Sequence, residues 1–182
     1  MRYQQTVRLK NGEICLIRSG CAADAQAAYD NFNLTHAQTD FLLSYPDENS
    51  FDAEQEGQFL AQREAEAREV ELCAFLHGRL VGMAGVEAVG TKDKVRHRAE
   101  LGISVEQDYW DLGIGRALTA ACIECARQAR YHQLELDVVR ENAAAIALYE
   151  SFGFVEYGRN PKGFRSRLSG WQELVLMRLE LI

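Results

Sequence analysis

Two prolines in 182 residues, no glycine- and serine-rich tract and no single-residue run exclude a disordered or fibrous chain. Long apolar runs are missing too. Leu118-Thr119-Ala120-Ala121-Cys122-Ile123, among the longest, is far too short to cross a bilayer, so no membrane association is expected. Residues Met1 to Lys10 are polar and lack the apolar stretch of a secretory signal, which makes cytoplasmic the expected location. Basic charge is in deficit, with 20 Lys and Arg against 27 Asp and Glu and a net charge of -7. No nucleic-acid partner is therefore expected. An acidic chain that holds a polyanion needs a local device such as the free amides of a helix start. The same acidity suits a cationic, amine-bearing substrate.

Cysteine is odd in number: Cys15, Cys21, Cys73, Cys122 and Cys125 share no repeated spacing and read as reduced thiols. Cys122-x-x-Cys125 lies in the middle of a helical stretch with no second pair or nearby histidine, so no metal is expected. What is present is an ordinary globular composition, 47% hydrophobic and 26% charged. The length predicts a single domain over residues 1–182 with a sizeable core.

Strands are predicted at Glu13–Arg18, Val70–His77, Leu80–Val89, Ala99–Val105, Leu134–Val139, Phe154–Tyr157 and Gln172–Leu181. Helices are predicted over Ala22–Leu34, Asp52–Glu69, Gly113–Arg130 and from Asn142 to Gly153. Phe41–Ser50, Thr91–His97 and the polar stretch Gly158–Gly170 read as connections. The order implies an α/β or α+β domain, a mixed sheet with helices on its faces.

The chemistry-bearing segment is Leu101–Val105 followed by Tyr109-Trp110-Asp111-Leu112-Gly113-Ile114-Gly115-Arg116, a strand, a bend and a glycine pair opening a long amphipathic helix. First-turn amides have no intrahelical acceptor, and glycines let an anion approach them. Arg116 adds a full positive charge. A P-loop is excluded because no Lys-Ser/Thr pair follows the glycines. A dinucleotide fingerprint is excluded because Leu118 stands where a third small residue is required, and Glu106–Leu112 is too long a bridge from the strand.

About twenty residues later comes Asn142-Ala143-Ala144-Ala145-Ile146-Ala147-Leu148-Tyr149-Glu150-Ser151-Phe152-Gly153-Phe154. The two segments together resemble the GNAT superfamily of acetyl-CoA-dependent N-acetyltransferases, closely over Ala99–Phe154. Trp110 departs from the family's usual Gln or Arg. The resemblance implies a mostly antiparallel mixed sheet with helices on both faces, and acetyl-CoA as acyl donor. It assigns Leu112, Gly113, Ile114, Gly115 and Arg116 to the diphosphate. Backbone groups of Ile103 and Val105 go to the pantetheine arm, Asn142 to the cofactor near that arm, and Tyr149 to the sulfur. Asn142 is also a good helix cap, and Tyr149 also fits an apolar stripe.

An amine must shed a proton before attacking a thioester, a strand amide such as that of Ile103 can stabilise the oxyanion, and Tyr149 can protonate the departing thiolate. Glu100 is the candidate general base, with His97 or a water chain as alternatives. Glu100 is equally readable as a solvent-facing or ion-paired strand residue. Arg159, Lys162, Arg165 and Arg167 form a basic cluster open to a phosphate, a substrate carboxylate or solvent. The expected activity is direct acetyl transfer to a primary amine of a small molecule or amino acid. Acetylation of a protein N-terminus and an inactive acyl-CoA-binding module are the alternatives. A homodimer is left open.

Overall fold

The long stripe that opens at Ile114 organises the molecule, because one face of that helix must be covered by a sheet. The computed structural model describes residues 1–181. Its strands are β1 (Gln4–Arg8), β2 (Ile14–Ser19), β3 (Val70–Leu76), β4 (Arg79–Ala88), β5 (Arg98–Val105), β6 (Gln133–Val139), β7 (Val155–Ser166) and β8 (Gly170–Glu180). The α-helices are α1 (Ala25–Gln38), α2 (Ala53–Ala65), α3 (Ile114–Gln128) and α4 (Ala143–Glu150).

The strands form one eight-stranded sheet in the order β1-β2-β3-β4-β5-β6-β8-β7. Among the pairings described, β5 with β6 alone is parallel, and it lasts for Arg98–Glu100 against Gln133–Glu135. On one face Ile114, Leu118, Ala121, Cys122 and Cys125 of α3 pack on Leu72, Val81, Ala99 and Leu134 in the main core. Burying each such aliphatic side chain contributes on the order of 1.5–3 kcal/mol. On the other face Ala28 of α1 and Leu60 of α2 meet Cys73, Leu80 and Met83.

Three stretches depart from the sequence expectation. β1 was not foreseen, because Gln-Gln-Thr-Val-Arg has no apolar alternation; antiparallel pairing with β2 makes it a strand. Residues 158–166 were expected as part of a loop but belong to the long edge strand β7. Its register shifts at Glu156/Gly158 and Asn160/Phe164. Pro161 is tolerated there because an edge strand with a bulge can spare the amide that proline lacks. Finally, α2 stops at Ala65 rather than Glu69. The Met1 ammonium donates to the Arg63 and Glu64 carbonyls at 2.9 and 3.0 Å, which closes the helix end.

Candidate functional site

The start of α3 is a bare amide turn. Gly113 is its N-cap with φ 98°, a left-handed conformation that a side chain would strain, and no side chain caps the turn. The loop before it is anchored by Lys10 N donating to the Leu112 carbonyl at 3.0 Å. A Cβ at Gly115 would meet only Leu148 Cδ2 at 3.6 Å, an ordinary contact. Nothing among the described residues requires glycine there. Arg116 lies on the same turn, its Nη2 donating to Ser151 Oγ at 2.8 Å and its guanidinium 5.1 Å from the Phe152 ring centre.

Next to this turn the sheet opens. Glu106 N donates to Val81 O at 3.0 Å and Val89 N to Arg98 O at 3.2 Å, so even-numbered residues along β5 turn their backbone toward β4. Odd-numbered residues face β6, as the His97 carbonyl accepting from His132 N at 2.9 Å illustrates. Pairing with β6 ends at Glu100, and the backbone groups of Ile103 and Val105 therefore point into an opening instead of at a strand. Trp110 Nε1 claims the Val105 carbonyl at 2.8 Å, which leaves Ile103 with both groups free toward the gap.

Across the opening stands α4. Asn142 Oδ1 accepts from Ala145 N at 3.2 Å, so the capping role is realised, while the amide nitrogen of that side chain has no partner among the described residues. Tyr149 is 5% exposed and packs at 5.7 Å against Phe154. Burial pushes its phenol well above the usual range, so it stays a protonated donor. Its ring also lines the cleft, a volume of about 1360 Å³ that runs from the α3 turn through the opening to the opposite face of the sheet.

On that opposite face, register pairs Glu71, Gly85 and Gly102 along one rung and Glu87, Glu100 and Glu135 along the next. Gly85 and Gly102 leave a trench floored by backbone. Burial, then the neighbouring Glu135, Asp137 and Glu87 carboxylates, raise the pKa of Glu100. The far end is walled by Phe41, Leu42, Leu43 and Phe51 from the α1–α2 connection. Asp40 clasps this connection to the β7–β8 turn, accepting from Ser166 Oγ and Ser169 Oγ at 2.7 Å and from Gln172 Nε2 at 3.2 Å. Arg167 adds two contacts of 2.8 Å to Asp47.

Residues 32–154 match the family model described as Acetyltransferase (GNAT) family, about two thirds of the sequence. The chain belongs to the GNAT family. A GNAT-family acetyltransferase structure from Streptococcus pneumoniae superposes with a TM-score of 0.87 at 29% identity, covering 91% of this chain and 99% of that one. The yncA structure from Salmonella typhimurium, described as a putative acetyltransferase with its cofactor acetyl-CoA, has the same fold (TM-score 0.80, 24% identity, 92% and 94% covered). The L-amino acid N-acyltransferase MnaT of Escherichia coli is 29% identical over 105 residues, 58% of this chain and 60% of that protein. The match thus spans about three fifths of that relative's length.

Within this GNAT domain, Ile103, Val105, Gly113, Ile114, Gly115, Arg116, Asn142, Tyr149 and Glu100 all line the one cleft, while Leu112 lies in the loop before the α3 turn and is held through its carbonyl. His97 is exposed and does not line the cleft. The basic cluster is also elsewhere: Arg159 pairs with Glu156 and Glu173, Arg167 with Asp47, and Lys162 and Arg165 stand over Trp171. Sequence reasoning missed Glu71 and Glu56. The signal for Glu71 was available, a lone carboxylate in the apolar run Val-Glu-Leu-Cys-Ala-Phe-Leu.

Proposed function

We propose that the chain is an N-acetyltransferase that takes its acetyl group from acetyl-CoA and delivers it to a primary amine of a small molecule. The observation that carries this reading is the gap between β5 and β6, bordered by unpartnered strand backbone and opening at one end on the uncapped α3 turn. A diphosphate suits the amides of residues 113–116, with Arg116 and Lys10 as nearby cations. An extended pantetheine arm suits the Ile103 carbonyl and the Val105 amide, which would bond it as an added strand. Bound there, acetyl-CoA supplies an activated thioester.

The chain's own residues would do the rest. Glu100, at the mouth of the gap and with a raised pKa, accepts the proton of the acceptor ammonium. As the nitrogen–carbon bond forms, the Ile103 amide donates to the oxygen that gains charge. As the carbon–sulfur bond breaks, the nitrogen gives up its second proton to water, and the Tyr149 hydroxyl donates its proton to the sulfur and recovers one from solvent. The Asp40 clasp walls the acceptor end, which favours a small amine over an extended polypeptide. A thiol-release assay with acetyl-CoA and a panel of amines tests the reading. Acceptor-dependent release is expected; an absence of release across the panel, together with an absence of acetyl-CoA binding by calorimetry, would overturn it.

A further inference from the structure

The acceptor end of the cleft holds more carboxyl groups than a single reacting amine needs. Glu56, Glu71, Glu87, Glu100, Glu135 and Asp137 line it against two arginines. Both arginines are committed. Arg63 pairs with Glu69 and, at 2.9 Å, with Glu87, while Arg98 binds Glu135 through two contacts of 2.5 and 2.7 Å. Lys10 and Arg116, the other cleft cations, stand at the α3 end. An acceptor carboxylate would find no free cation among the described residues near the reacting position.

Apart from Glu100, the candidate base, and the exposed Asp137, the carboxylates of this set without a hydrogen-bonding or ionic partner among the described residues are Glu56 of α2 and Glu71 of β3. Glu56 is only 7% exposed yet lines the cleft. Glu71 lies flat over the next strand, so close that a Cβ on Gly85 would stand 2.6 Å from its Oε2. Burial, and then Glu56, push Glu71 up to about 8, with Glu87 adding to the effect and Arg63 opposing it. Glu56 is raised by burial as well. Two acids of this kind side by side are costly to ionise until a cation arrives.

We propose that Glu56 and Glu71 receive a second positive charge on the acceptor, which makes the preferred acceptor a diamine or polyamine with no carboxylate beside its reacting nitrogen. This rests on the acetyl-transfer reading above. The spacing fits: Glu71 lies over Gly85, Gly85 pairs with Gly102, and Glu100 is two residues along β5. Diagonal neighbours on adjacent strands are roughly 7–8 Å apart, about the reach of an extended four-carbon diamine. One ammonium then sits on the carboxylate pair while the other loses its proton to Glu100.

The test combines turnover and binding. In steady-state assays with acetyl-CoA, putrescine should exceed butylamine and methionine in kcat/KM by about tenfold or more, on the scale of one well-placed charge contact. Glu71→Gln, and independently Glu56→Gln, should abolish the preference for putrescine over butylamine, with the change falling on KM. Titrating putrescine into protein saturated with coenzyme A at pH 7 should show a heat that varies with the buffer's ionisation enthalpy, because Glu71 must release its proton to bind. A preference for methionine, or an unchanged putrescine KM in both variants, would overturn the inference while retained coenzyme affinity leaves the transfer reading standing. Loss of coenzyme binding in the wild type would overturn both.

Discussion

At the scale of single residues, two positions separate ligand demands from folding demands. Gly113 is glycine because its backbone is left-handed, whereas Gly115 has room for a side chain inside the protein. Gly115→Glu should therefore fold normally but place a carboxylate where an anion is meant to bind. Calorimetry should show acetyl-CoA affinity falling by at least about tenfold, the effect of one misplaced charge. Tyr149 offers the complementary case. Its hydroxyl makes no hydrogen bond among the described residues, so Tyr149→Phe should change stability by no more than about 0.5 kcal/mol. Its loss as a proton donor should lower kcat about a hundredfold with acetyl-CoA KM nearly constant, measured by thiol release and thermal unfolding.

At the scale of elements, helix ends and connections set where those residues stand. Asn142 caps α4, and Asn142→Ala should cost about 1 kcal/mol and lower the unfolding midpoint by roughly 2–4 °C. The α1–α2 connection depends on Asp40, whose carboxylate gathers Ser166, Ser169 and Gln172. Asp40→Ala should loosen the wall of the acceptor end, raising acceptor KM several-fold while leaving acetyl-CoA affinity unchanged, since the α3 turn is anchored separately through Lys10. Legibility differed sharply among elements. The α3 stripe and the apolar strands β3 to β6 were readable because each buries a face and the burial dictates the residues. β1 and the distal half of β7 were not, because their exposed side chains carry no period and neighbouring strands alone fix them.

At the scale of the whole molecule, one of the 27 acidic residues sits where ionisation is costly. Glu71 has a folded pKa of about 8, raised above its usual 4.5. An acid with a raised folded pKa binds its proton more tightly in the native state, so its favourable contribution is complete below the unfolded pKa and is lost as pH rises through the folded one. The unfolding midpoint should accordingly fall between about pH 5 and pH 8.5, and Glu71→Gln should flatten that decline. A scan of midpoint against pH for both proteins checks this; parallel curves would show that Glu71 is not the source.

The sequence alone determined the residues of the proposed cofactor end. A glycine turn opening a striped helix and an Asn-led helix ending in Tyr149 are local arrangements, encoded by consecutive residues and legible as such. Tertiary structure decided the proposed acceptor end. Glu56 and Glu71 come from a helix and a strand, and Arg63 and Arg98 are removed from play by partners far along the chain. Charge balance in a cleft depends on which side chains meet across strands, and no single stretch of residues records that pairing.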